Sequence, residues 1–123
     1  MQQQFPTFDE MREVLGDHVR SIRMERDDEI YVMAGSSDVR PIVNYLRREH
    51  EARVVAVFAE DRRWAEGIYY NYYVLDHRGN PAYLIVQAPV SAGVPEFASL
   101  SAELPSLNWQ EREIQDWFGI EAV

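Results

Sequence analysis

The sequence predicts an α+β two-layer sandwich, with helices on one face of a mostly antiparallel or mixed sheet. Three observations predict it. The elements read in the order helix, two strands, helix, three strands and a closing helix, which fits that layer architecture. The strand-like runs are short, rich in Val, Ile, Tyr and Phe, and bounded by polar turns. The 123 residues, 46% hydrophobic and 12% aromatic, suffice for one domain over residues 1–123 and leave little room for a second.

Each element has a local reason. Thr7-Phe8-Asp9-Glu10 reads as a capping box: the Thr7 hydroxyl accepts from the Glu10 N–H and the Glu10 side chain reaches back. A short helix should follow and end near Gly16. Val19 to Met24 and Ile30 to Met33 read as a hairpin joined by the polar turn Glu25 to Glu29. Ser37 or Asp38 can cap a second helix that runs to about His50, with Pro41 in its first turn. Val39, Ile42, Val43 and Leu46 are spaced to give that helix one apolar face. Arg53 to Ala59, Gly67 to Asp76 and Ala82 to Ala88 are three further strands, separated by Asp61-Arg62-Arg63 and by Arg78-Gly79-Asn80-Pro81.

The central strands are apolar on both sides. Alternation puts Ile68, Tyr70, Tyr72 and Val74 on one face and Tyr69, Asn71, Tyr73 and Leu75 on the other, and only Asn71 is strongly polar. A half-solvated antiparallel sheet alternates more cleanly, so both faces are expected to be covered. Two helices cover one. The C-terminal segment or a partner protein is left for the other.

Composition excludes several functions. The formal charge is −9, so the average surface repels phosphate backbones and anionic headgroups. All twelve basic residues are Arg, with no Lys, which suits bidentate pairing with carboxylates at an interface as well as simple codon bias. The absence of Cys removes disulfides, thiolate catalysis and iron–sulfur ligation. The start MQQQFPTFDE lacks the basic and apolar regions of a signal peptide, and no apolar run nears the ~20 residues of a membrane span. The expected location is cytosolic.

Candidate chemistry is sparse. His18, His50 and His77 stand on separate segments without ligand spacing. Glu10, Glu13 and Asp17 fall at helical spacing, the ordinary pattern of a solvated helix side. Tyrosines on a sheet suggest single-stranded RNA stacking, yet the basic glycine-rich strand signature of that class is missing. No Gly-rich phosphate loop, GxSxG or HExxH is present.

The segment with the strongest signal is Asn108-Trp109-Gln110-Glu111-Arg112-Glu113-Ile114-Gln115-Asp116-Trp117-Phe118-Gly119-Ile120. At 100° per residue, Leu107, Ile114 and Phe118 form one stripe with Trp117 beside it, and Glu111 falls inside that stripe. A carboxylate there must be met by an Arg or by backbone donors. Arg112, Glu113 and Asp116 point away, Arg112 and Asp116 as an i,i+4 pair, and so does Trp109. Gly119 terminates the helix in the left-handed conformation.

That segment resembles the W-x-E-R-E-x-x-D-x-F-G-I signature of the 30 kDa subunit family of respiratory NADH:quinone oxidoreductase, complex I. Pro95, Ser99, Leu100 and Pro105 loosely match the Pro and Ser that the family places ahead of the helix. Phe58-Ala59-Glu60-Asp61-Arg62-Arg63, Gly67 and Tyr72-Tyr73-Val74-Leu75 are similar to the N-terminal domain of formate hydrogenlyase and other membrane-bound [NiFe] hydrogenase large subunits. Without Cys, the sequence includes none of the nickel-binding part found in that branch. The family pattern continues with Gly-His-Pro and paired Arg where this sequence ends at Glu121-Ala122-Val123.

The resemblance implies a non-catalytic docking or assembly subunit or domain in the cytoplasmic arm of a membrane-attached NADH dehydrogenase or hydrogenase complex. Its implied partners are the hydrogenase-like large subunit and iron–sulfur subunits. It implies no cofactor, metal or catalytic residue, no nucleic acid, and contact with the inner membrane only through the complex. Trp109, Glu111, Arg112, Glu113, Asp116, Trp117, Phe118 and Gly119 form the expected partner interface, with ion pairs setting the helix register and aromatics as the anchor. A homodimer is expected where the partner is missing. The alternative is an independent acidic ligand-binding domain or enzyme using a carboxylate cluster, which predicts a ligand or activity without any partner.

Overall fold

A computed structural model describes residues 5–78 and 80–123. Helix α1, Phe8–Leu15, starts as the sequence predicts: the Thr7 hydroxyl oxygen accepts from the Glu10 N–H at 3.1 Å. The reciprocal half of the capping box does not form. The Glu10 carboxylate instead faces the Tyr45 hydroxyl at 3.4 Å and His50 Nε2 at 3.5 Å, which ties α1 to the second helix.

A single 3₁₀ turn, Gly16–His18, leads into β1, Val19–Arg26, which pairs antiparallel with β2, Glu29–Ala34. The hairpin is tighter than expected: Arg26 pairs with Glu29, leaving only Asp27 and Asp28 at the turn. Helix α2, Val39–His50, buries Val39, Ile42, Val43 and Leu46, the predicted face. Asp38 holds the cap position without a side-chain cap bond, because its carboxylate accepts from His18 Nδ1 at 2.8 Å. At the other end Glu51 takes the left-handed conformation at φ +56°.

Three antiparallel strands follow: β3, Arg53–Arg62; β4, Ile68–His77; and β5, Asn80–Ser91. β3 and β5 run three residues past their predicted ends, Ala59 and Ala88. Glu60, Asp61 and Arg62 continue β3 opposite Tyr70, Tyr69 and Ile68, and the expected loop becomes a short helix α3, Arg63–Glu66, closed by Gly67 at φ +72°. β5 runs through Pro89, a residue that ordinarily breaks a strand. The proline lies beyond Gln87, where β2 has already left the ladder, so the missing N–H costs no bond to that neighbour. The predicted turn between β4 and β5 includes Gly79, which lies outside the described residues.

The five-stranded sheet has the order β1-β2-β5-β4-β3, antiparallel except for the β2–β5 seam. β6, Glu96–Phe97, and β7, Glu121–Ala122, add a small parallel pair around α4, Asn108–Phe118. The core is one cluster in which Ile30, Val32, Leu84, Val86, Tyr69, Tyr73 and Leu75 from the sheet meet α1, α2 and Ile114 of α4. All three long helices therefore lie on one face. Of the two covers expected for the second face, the C-terminal segment is excluded: α4 joins α1 and α2 in the same core, and the face bearing Tyr72, Val74, Ile85 and Phe58 is left open.

Candidate docking surface

Helix α4 is held from beneath. A 3₁₀ turn at Pro105–Leu107 feeds into it, and Leu107, Glu111 and Ile114 form its buried line. Phe118 packs edge-on against Tyr69, with centroids 6.0 Å apart. Gly119, at φ +70°, ends the helix while its N–H bonds to the Gln115 carbonyl at 2.9 Å.

Glu111 is only 3% exposed. Its Oε1 accepts from the Ser99 and Ser101 hydroxyls at 2.7 and 2.6 Å, and its Oε2 from the Leu100 N–H at 2.7 Å. Of the two expected ways to meet this carboxylate, an Arg or backbone donors, the fold uses a backbone N–H and adds two hydroxyls, and the three satisfy it where it is buried. The Ser99–Leu100–Ser101 loop is itself secured by α2 and by the residue after β7. Arg40 of α2 donates to the Ser99 carbonyl, and the Ser99 N–H bonds to the Val123 carbonyl at 2.9 Å.

The outward side of α4 presents Trp109, Arg112, Glu113, Asp116 and Trp117, all exposed. No ion pair joins Arg112 to Asp116 among the described residues. Trp109 is 66% and Trp117 81% exposed, and Trp64 of α3, which sequence reasoning passed over, is 84% exposed. Every tryptophan of the chain thus faces outward. α3 and the end of α4 are neighbours: the Arg63 guanidinium lies 4.9 Å from the centre of the Tyr69 ring, which also touches Phe118.

The open sheet face carries a polar chain on an aromatic floor. Tyr72 donates to Glu60 at 2.8 Å and accepts from Gln87 Nε2 at 3.3 Å, and Gln87 Oε1 accepts from Arg23 Nη2 at 3.2 Å. Burial, reinforced by that bond to Glu60, raises the Tyr72 phenol well above its usual range. Phe58 stacks on Tyr72 at 5.0 Å, and Arg23 lies over Tyr31 at 4.7 Å. The hollow, about 850 Å³, is rimmed by Arg26, Arg62, Glu25 and Glu29. Its mixed rim is not the basic groove that single-stranded RNA requires.

The histidines are distributed structurally. His18 meets Asp38, His50 meets Tyr45 at 2.9 Å, and the buried His77 lies beside the Arg78 carbonyl and the Phe5 ring. Among the described residues no three His, Asp or Glu side chains are grouped to hold a metal, and no helix is long and apolar enough to cross a membrane.

Residues 32–123 match the family described as the respiratory-chain NADH dehydrogenase 30 kDa subunit. Two curated relatives are both from Escherichia coli (strain K12). The chain is 35% identical to hydrogenase-4 component G over 80 residues, covering 64% of this chain and 14% of that protein. It is 29% identical to formate hydrogenlyase subunit 5 over 94 residues, covering 76% and 16%. The chain thus spans about a seventh of the length of these relatives. Among solved structures, a trypsin-resistant fragment of Nqo5 superposes with a TM-score of 0.70 at 15% identity, covering 83% of this chain and 84% of the fragment. A chain of a membrane-bound sulfane sulfur reductase, an archaeal respiratory membrane complex, superposes with a TM-score of 0.76 at 14% identity, covering 91% and 68%. These two likenesses establish the fold. The two curated relatives match the hydrogenase branch to which the Phe58–Arg63 and Tyr72–Leu75 segments are similar.

Proposed function

The chain belongs to the 30 kDa subunit family of respiratory-chain NADH dehydrogenase, and from that premise we propose that it is a non-catalytic docking module of a membrane-attached redox complex. It packs by the outer side of α4 against the hydrogenase-like large subunit, with iron–sulfur subunits in the same assembly. In this reading it lies in the cytoplasmic arm, peripheral to the inner membrane, and has no activity of its own.

The observation that carries this reading is a rigid helix that displays its tryptophans. Glu111 and Ile114 pin α4 from below, so Trp109 and Trp117 are presented on a preorganised support, the condition under which aromatic anchors contribute most to an interface. Arg112, Glu113 and Asp116 form no ion pair among the described residues, so they are available to the partner as rim charges that steer and orient. Glu111 acts from inside, holding the helix rather than touching the partner.

The test is capture of the tagged chain from solubilised membranes of its host, with mass spectrometry of what co-purifies. A hydrogenase-like large subunit and iron–sulfur subunits are expected. Trp109→Ala combined with Trp117→Ala should reduce their recovery by about 2 kcal/mol or more of binding while leaving the free chain's unfolding midpoint within about 0.5 kcal/mol. Recovery of a folded chain alone, or a double variant that assembles normally, defeats the reading.

A further inference from the structure

The two edges of the five-stranded sheet are built differently. β1 is guarded by charge, with Arg20, Arg23, Glu25 and Arg26 along its eight residues. β3 has no such guard over Val54-Val55-Ala56-Val57-Phe58-Ala59, a run without charge or proline on an edge. Among the described residues, β3 makes no backbone hydrogen bond outside its ladder with β4, so its outer N–H and C=O groups are free.

Beside this edge runs α4. Between them lies a notch of about 200 Å³, its floor formed by Val57, Phe58 and Ala59 and its wall by Gln110, Ile114 and Trp117. Gln110 Oε1 is buried without a hydrogen-bond partner. A helix lying alongside a free strand edge is the arrangement that takes an extended peptide as an added strand: the backbone edge supplies affinity and the pocket supplies selectivity. The notch includes Glu113 and no Arg or His, in a chain of net charge −9, so it favours a cationic occupant.

We propose that the β3 edge and α4 together capture an extended segment of the partner protein, which pairs with β3 as an added strand. The segment places an apolar side chain in the notch, a hydrogen-bond donor against Gln110 Oε1 and a basic residue against Glu113. A second copy is the disfavoured occupant, because each copy carries a net charge of −9. The inference rests on the assembly role above and adds a second contact to the outer side of α4.

The experiment is hydrogen–deuterium exchange on the free chain and on the assembly captured with the tagged chain. In the assembly, alternate amides of residues 54–61, those facing away from β4, should slow at least about tenfold, because they pass from solvent into a ladder. If the assembly forms and these amides exchange as in the free chain, while protection appears only on the outer side of α4 or on the open sheet face, the added strand is wrong and the docking role stands. If the same amides slow in the free chain as its concentration rises, a second copy takes the edge and the proposal falls. If no assembly is captured, the docking role falls and the added strand with it.

Discussion

Glu111→Ala leaves two hydroxyls and the Leu100 N–H without their common acceptor inside the fold. It is expected to lower unfolding stability by about 2–4 kcal/mol, read from urea denaturation of the isolated chain. Glu111→Gln should recover only part of this. Its amide oxygen can serve the Ser99 and Ser101 hydroxyls, but its NH₂ then faces the Leu100 N–H, donor against donor. An unchanged midpoint in both variants would show that the carboxylate does not hold the helix. The anomaly at Glu111 was legible in the sequence, because 100° spacing puts an acid on an apolar stripe. Its partners were not: donors ten to twelve residues upstream in an irregular loop leave no periodic trace. Trp64 was missed for a related reason, since the Asp61-Arg62-Arg63 run read as a turn and hid the short helix that turns the ring outward.

At the scale of elements, Glu51 closes α2 with a left-handed backbone that suits glycine better, and the Ala52 N–H bonds back to the Leu46 carbonyl at 3.1 Å. Glu51→Gly should therefore raise stability by about 0.5–1 kcal/mol, a gain that a thermal melt would register as a shift of a few degrees. A lower melting temperature would mean that the charge or stem of Glu51 matters more than its conformation. Helix faces were the most readable elements: Val39, Ile42, Val43 and Leu46 are buried as their spacing requires. Strand ends were the least readable. Asp61-Arg62-Arg63 reads as a turn, yet cross-strand pairing of Asp61 and Arg62 with Tyr69 and Ile68 keeps those two residues extended, and Pro89 is tolerated only because β2 stops before it. Both outcomes depend on which neighbour lies alongside, which local composition does not encode.

For the whole molecule, alternation showed a sheet apolar on both sides, but not that the C-terminal helix would join the other helices and leave one side bare. The parallel β6–β7 pair, which carries the C-terminal residues back to Phe97, had no signal of its own because each strand is only two residues long. Phenol groups link the fold to pH. Burial, with Glu10 alongside, pushes Tyr45 up to about 12, and burial raises Tyr72 and Tyr73 further. A folded pKa above the unfolded value of about 10 favours the protonated phenol, so this stabilisation is complete below pH ~10 and is lost as pH rises through the folded values. Denaturation midpoints should fall between about pH 10 and pH 12, and Tyr45→Phe should lessen the fall. A midpoint that stays flat across that window would exclude the linkage.

The β2–β5 seam also governs how the molecule comes into being. The β1–β2 hairpin and the β3–β4–β5 meander each close through short connections, whereas Val32 meets Val86 only after the chain between them has been brought round. The entropy of that closure must be met before the pairing rewards it, so joining the two halves is the expected rate-limiting event. Val86→Ala should then mainly slow refolding, whereas Val57→Ala, on the far edge of the meander, should mainly hasten unfolding. A parallel seam between two ready-made halves makes the last contact in space the first hurdle in time.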